Sequence, residues 1–287
     1  MVMIRCLMQP IFVGDVQGCS EELGELLERA RVDFGERFEP WLVGDLINRG
    51  PGNLAVLRRV RELVDAGRAR CVLGNHEIGL LLTAAGLRER KPLDSFGDVL
   101  GATDAAEWLE WLRRLPLLET GQLGHQRFAM VHASVHPDWT LPELERRARR
   151  VEARLGAADP REATALLAAD PGRDPDRDLL GRLTQARCVT RAGGWSAELP
   201  GGGLEAWHRS WSAHGHDYSV VYGHWALQGL HVEPRLRGLD TGCVHHGRGR
   251  DGSLTAWLPD PSALSPFDVP DGRFWHIPAR RIYYQAS

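Results

Sequence analysis

One hydrophobic rhythm runs through the first hundred residues. "PIFVGD", residues 10–15, is a short apolar run stopped by Gly-Asp, and "PWLVGD", residues 40–45, repeats it. Behind each comes a stretch with apolar residues at helical spacing. The first has Leu23, Leu26, Leu27 and Ala30; the second has Leu54, Val56, Leu57, Val60, Leu63 and Val64. That period predicts two amphipathic helices, one capped by Ser20 with Glu21 and Glu22 in its opening turn, the other closed by Gly67. "ARCVLGNHE" is a third strand ending in a polar turn, followed by another apolar helical stretch. Strand and helix in alternation predict βαβ units. Asp15, Asp45 and Asn75 then fall at the C-terminal ends of neighbouring parallel strands, where open α/β sheets place their ligands.

Beyond residue 100 the pattern changes. Residues 104–115 read as helix, "QRFAMVHAS" as a strand ending at His132, and Leu141 to Leu155 as a long Arg/Ala/Glu-rich helix. Ala157 to Asp178, with "DPRE", "DPGRDPDRD" and no steady period, reads as a surface excursion, and Gly193 to Gly203 as a loop or rim. "YSVVYGHW", "LRGLDTGC" and "SLTAWLPD" read as the strands of a second sheet. We read 1–287 as one domain, with 156–205 as a cap or surface excursion.

Charge and cysteines narrow the function classes. The 35 basic and 38 acidic residues, with pI near 6.5, give no global field that would draw in nucleic acid or a membrane surface. Any anion must be bound locally. Lys91 is the only lysine; codon bias accounts for most of the arginine excess, although arginine also suits bidentate phosphate contacts. Cys6, Cys19, Cys71, Cys188 and Cys243 form no CxxC pair and read as reduced, buried thiols of a cytoplasmic protein. "MVMIRCLMQP" lacks a basic leader before a long apolar segment, and no run approaches the ~18 apolar residues of a membrane span. Neither export nor anchoring is expected.

Five polar turns carry the candidate chemistry: GDVQG at 14–18, GDLINRGP at 44–51, GNHE at 74–77, VHA at 131–133 and YGHW at 222–225. Singly, Gly-Asp after an apolar run is more often a plain turn. Five in order supply carboxylates, an amide, imidazoles and an arginine. Carboxylate oxygen and imidazole nitrogen suit first-row divalent ions. An Asp bridging two such ions brings them to ~3.5 to 4 Å, where they activate water at neutral pH and clamp a phosphoryl group. Arg49 adds a planar fork for phosphate oxygens.

These motifs resemble the metallophosphoesterases of the phosphoprotein-phosphatase type. Within them, "VGDLINRGPGNLAVLR", "CVLGNHEIGLLL", "EWLEWLRRLPLLE", "MVHASVHPDW", "VVYGHWALQG" and "LRGLDTGC" resemble the bacterial symmetrical bis(5'-nucleosyl)-tetraphosphatases. The likeness covers most of 10–150 and 218–243, and 156–205 matches poorly. It implies an α/β (α+β) fold, a four-layer αββα sandwich of two mixed sheets flanked by helices. It also implies two divalent ions, Mn2+ or Co2+, and hydroxide attack that cuts diadenosine tetraphosphate into two ADP. Related dinucleoside polyphosphates and 5'-capped RNA ends bearing a nucleoside tetraphosphate complete the implied substrate class.

Residue by residue, the resemblance makes Asp15 and Gln17 ligands of the first metal, Asp45 the bridge, and Asn75, His132 and His224 ligands of the second. His76 becomes the general acid and Arg49 orients the phosphate. Arg191, in "VTRAGG", aligns loosely with a polyphosphate-binding arginine. Several positions depart from the pattern. Gln17 stands where histidine is usual, although tetraphosphatases of this subfamily are known with Gln there, so the first ion is expected to bind more weakly. Asn48 stands where an Asp pairs with the acid histidine, leaving Glu77 or the phosphate to set the His76 pKa. His245 and His246 replace a Trp-Gly and read as surface histidines; Trp108 and Trp111 read as core. Two rivals remain: a Ser/Thr protein phosphatase, towards which GNHE in place of GNHD leans, and a non-catalytic nucleotide-binding sensor with an impaired first site.

Overall fold

Side-chain alternation along the strands separates two layers of core. In the computed structural model, which describes residues 8–268 and 273–283, Ile11 and Val13 point to one apolar cluster and Phe12 to another. Leu42 likewise parts from Trp41 and Val43, Ala129 and Val131 from Phe128 and Met130, and Val220 and Tyr222 from Val221. Strand geometry requires this, because successive side chains face opposite sides. The smaller cluster draws Phe12, Trp41 and Trp257 from one sheet and Phe128, Met130 and Val221 from the other, so it fills the space between two sheets. Phe128 stands edge-on to Phe12 and to Trp41, each at 5.3 Å. Truncating such a ring to alanine costs about 3–5 kcal/mol.

The first sheet has the order Phe274–Pro278, Ser253–Trp257, Gln9–Val13, Phe38–Leu42, Arg70–Cys71. Its last three strands are parallel, as the βαβ rhythm predicts, with Gln9 to Val13 opposite Phe38 to Leu42. The second sheet runs His231–Glu233, Leu236–Gly238, Tyr218–Tyr222, Gln126–Val131, Leu118–Leu123. Both are mixed. Helices Ser20–Phe34 and Asn53–Asp65 bury Leu23, Leu26, Val56, Leu57 and Val60 in the larger cluster, beside the outward residues of the first sheet. Trp108 is buried there and Trp111 packs against it.

Three expectations need correction. "SLTAWLPD" belongs to the first sheet, not the second: Phe12 lies opposite Trp257 and Val13 opposite Ala256, which extends the inter-sheet layer. The stretch 157–178 is not irregular: it contains helix Pro160–Ala168 and the start of helix Pro175–Gln185. Asp159 and Asp174 accept from backbone N–H groups of the following turn, and Pro160 and Pro175 occupy the first helical position, so these two Asp-Pro steps start helices, whereas Asp170-Pro171 is a turn. Leu166, Leu179, Leu180 and Leu183 bury that pair in the larger cluster with helix Leu141–Leu155. Ser20 makes no capping bond; it is the first residue of its helix, after Cys19. Cys19, Cys71, Cys188 and Cys243 are buried and form no disulfide, and Cys6 lies outside the described residues. Among the described residues no helix is long and apolar enough to cross a membrane.

Candidate metal centre

The polar turns after strands Gln9–Val13, Phe38–Leu42 and Arg70–Cys71 meet those after Gln126–Val131 and Tyr218–Tyr222 at one point. Asp15, Asp45 and His132 offer ligand atoms within 4.8 Å of one another, all buried. Unusual backbone conformations hold them there. Among the described residues six non-glycines have positive φ, and five belong to these turns: Gln17, Asp45, Asn48, Arg49 and His224. Such dihedrals are costly for residues with a Cβ and persist only where surrounding contacts impose them.

The side chain of Glu77 imposes much of this. Its buried carboxylate accepts the backbone N–H groups of Asp45 (3.0 Å), Leu46 (2.8 Å), Ile47 (3.2 Å) and Gly74 (2.9 Å). The fourth residue of GNHE therefore ties its own turn to the turn carrying Asp45. Gly74 and Gly223 leave the space for the carboxylates: a Cβ at Gly74 would overlap Asp45 Oδ1, and one at Gly223 would overlap Asp15 Oδ1.

Hydrogen bonds to backbone carbonyls orient two imidazoles. His132 Nδ1 lies 2.8 Å from Val43 O, and His224 Nε2 lies 2.9 Å from Gln185 O; each donates its proton there. The opposite nitrogens then carry lone pairs. His132 Nε2 and His224 Nδ1 both turn to Asn75 Oδ1, at 2.9 and 2.8 Å, so three acceptors converge without a proton among them. Burial holds both rings well towards the neutral form. Asp45 lies between this trio and Gln17, with Oδ1 3.4 Å from His132 Nε2 and Oδ2 3.3 Å from the Gln17 amide nitrogen.

The carboxylates are crowded at the same point. Burial, then Asp240 and Asp45, raises Asp15 well above the usual carboxylate range, although the His224 N–H bonds both of its oxygens at 3.1 Å. Burial chiefly, with Asp240 adding to it, pushes Asp45 up to about 7. Clustered acids and inward lone pairs are what a divalent cation relieves. Asp15, Gln17, Asp45, Asn75, His132 and His224 fit such ions.

His76 lies beside this group, its Nε2 3.2 Å from the Gln17 amide nitrogen and 3.5 Å from Asp45 Oδ2. Its Nδ1 is buried without a hydrogen-bond partner. Asn48 points elsewhere: its amide donates to Asp94 Oδ1 at 3.0 Å and its oxygen accepts from the Arg49 and Ser95 N–H groups. Glu77 does not serve His76 either, since its carboxylate is committed to the turn. Burial, then Arg49, lowers the His76 pKa well below its ordinary value.

A cleft of about 450 Å³ opens over the cluster, lined by Gln17, Asp45, Asn75, His76 and His224 on its floor and by Arg49, Arg187, Arg248 and Arg250. Arg49 donates to Leu93 O at 2.7 Å and lies 3.8 Å from buried Asp94, which fixes the guanidinium at the edge. Arg191 is not brought to this cleft; it is exposed in a separate depression with His136 and Thr190, and Arg187 takes the nearer place. His245 corrects a second expectation: it is a half-buried wall of the cleft, whereas His246 accepts the Gly252 N–H at 3.2 Å. Sequence reading also missed Asp94 and Asp240. Asp240 had a signal, an apolar run stopped by Asp in "LRGLD"; Asp94 lies in a polar loop and had none.

The profile described as calcineurin-like phosphoesterase matches residues 8–224. A relative from Aromatoleum aromaticum is 40% identical over 254 residues, 81% of this chain and 88% of the relative. Another, from Pseudomonas fluorescens, is 39% identical over 260 residues, 82% and 87% respectively. Both bear the name symmetrical bis(5'-nucleosyl)-tetraphosphatase. A crystal structure titled a putative diadenosine tetraphosphatase superposes with TM-score 0.62 at 23% identity, covering 96% of this chain and 95% of that one. It supports the fold.

Proposed function

The chain belongs to the calcineurin-like phosphoesterase family, and from that premise we propose that it hydrolyses dinucleoside tetraphosphates symmetrically, diadenosine tetraphosphate giving two ADP. The observation that carries the reading is the convergence of Asp15, Asp45, Asn75, His132 and His224 beneath a cleft edged by arginine. Asp15 and Gln17 would hold a first divalent ion and Asn75, His132 and His224 a second, with Asp45 available to both. Mn2+ or Co2+ suits this set of carboxylate, amide oxygen and imidazole. When bound, the ions offset phosphate charge and lower the pKa of water.

The remaining roles follow from this chain's own side chains. Arg49, held by Leu93 O and Asp94, presents a fork to the attacked phosphate, while Asn48 fixes the turn that carries it. His76 is neutral on its own; an anionic phosphate beside it favours the protonated ring, which then donates to the leaving oxygen. Arg187 supports the neighbouring phosphates from the cleft wall, its Nε buried without a hydrogen-bond partner. Arg191, exposed in its own depression, reaches the substrate only if the polyphosphate extends beyond the cleft.

Incubation with diadenosine tetraphosphate and Mn2+, with products resolved by chromatography, tests the reading. ADP alone is expected. ATP with AMP would contradict symmetric cleavage, faster turnover of a phosphopeptide would favour a protein phosphatase, and binding without turnover would favour a sensor. RNA carrying a 5'-nucleoside tetraphosphate belongs in the same assay as a larger substrate of the same chemistry.

A further inference from the structure

Loop 245–250, which follows the run "LRGLDTGC", brings His245, Arg248 and Arg250 to the cleft. It is a folded turn. Arg248 N–H donates to His245 O at 3.2 Å and Gly247 N–H to Arg250 O at 3.1 Å, with Gly247 and Gly249 in left-handed conformations that glycine adopts at little cost. Arg250 Nη1 donates to Ala226 O at 2.5 Å, tying the loop to the segment that follows His224. Arg248 lines the same cleft and is exposed. Burial, then Arg248, Arg250 and Arg49, pushes His245 down to about 4, so three guanidiniums act on one neutral imidazole.

The distribution of charge points to an extended anion. The lining carboxylates, Asp45 and Asp240, lie on the buried floor, while the rim carries arginine. A single phosphate at Arg49 and His76 meets the floor alone. A tetraphosphate cut in the middle has another phosphate beyond the attacked one on each side, each with a negative charge. Resting on the function proposed above, we infer that Arg248, on a loop anchored by Arg250, forms a distal phosphate subsite for an outer phosphate of the polyphosphate chain. Substrate length is thereby read at the rim rather than at the metals. Leu227, exposed on the same wall, gives the subsite an apolar neighbour suited to the attached nucleoside.

Steady-state kinetics of Arg248→Ala and Arg248→Lys with Mn2+, on diadenosine tetraphosphate and on p-nitrophenyl phosphate, test this. The alanine variant is expected to raise the tetraphosphate KM about tenfold, as for a lost charge-assisted contact at a wet rim, with kcat little changed. The ratio of the two KM values changes with it, because the monoester has no outer phosphate. Lysine restores most of the loss, and the salt dependence of kcat/KM becomes shallower in the alanine variant. An unchanged tetraphosphate KM, or an equal rise for both substrates, overturns the subsite alone. Wild-type protein that turns over p-nitrophenyl phosphate but not the tetraphosphate overturns the underlying function as well.

Discussion

On the floor of the cleft, Asp45 and His224 stand on left-handed backbone at strand ends, with neighbouring glycines leaving no spare volume. At the rim, Arg187, Arg248 and Arg250 have no positive φ and extend from loops; Arg49, at the edge, shares the left-handed turn of the floor. The floor is specified by backbone geometry, so a change of one atom type there is felt at once. The rim is specified by charge and reach, so a substitution that keeps both is tolerated. Experiments that disturb one without the other separate the two.

The largest effect is expected from Asp45→Asn, since asparagine accepts left-handed φ and removes only the charge. Turnover should fall by more than about 10³-fold with loss of bound Mn2+ by elemental analysis; retained metal with that loss would show that charge alone is at issue. His76→Asn should lower kcat about 10²-fold with metal content unchanged. An unaltered rate would remove the histidine from the reaction.

A pH titration probes the floor without mutation. Asp45, pushed up to about 7, and Asp15, also held well above the usual carboxylate range, must each lose a proton to receive a cation, whereas the lowered pKa values of His132 and His224 leave those rings already neutral. Metal affinity should therefore rise with pH through about 7, about tenfold per unit for each proton released. Calorimetry in buffers of different ionisation enthalpy counts those protons. The weaker of two binding steps should belong to the site containing Gln17, and two ions surviving dialysis against a modest chelator would contradict this.

Glu77→Gln keeps shape but turns an amide NH2 towards backbone N–H groups. We expect kcat to fall about tenfold and Tm by roughly 5 °C, as for a lost pair of buried hydrogen bonds in a domain of this size. The smallest contrast is at the rim: Arg187→Ala should raise the tetraphosphate KM several-fold and Arg191→Ala less than about twofold. The reverse order would return the polyphosphate to Arg191.

What was legible in the sequence follows the same division. Asp15, Asp45 and Asn75 announced themselves because strand periodicity and Gly-Asp or Gly-Asn punctuation are local signals. The parallel order of their strands followed from the helices between. Residues 157–178 were misread because Asp-Pro signals both a turn and a helix start, and only the burial of Leu166 and Leu179 decides between them. Asp94 and Arg187 were invisible because their importance lies in distant partners, Asn48 in one case and the cleft in the other. The strand "SLTAWLPD" was placed in the wrong sheet because its pairing with Gln9–Val13 spans most of the chain.

The left-handed turns also set durability against use. Each of Gln17, Asp45, Asn48, Arg49 and His224 would relax by about 1 kcal/mol as glycine. Replacing Gln17, Asp45 or His224 would also remove a proposed metal ligand and replacing Arg49 a proposed phosphate contact, while replacing Asn48 would remove the bonds to Asp94 and Ser95 that hold the turn. Selection for thermal endurance alone, with no activity readout, would relax the metal and phosphate positions first and keep Asn48, whose buried bonds outweigh its strain, leaving an inert cleft on an intact turn.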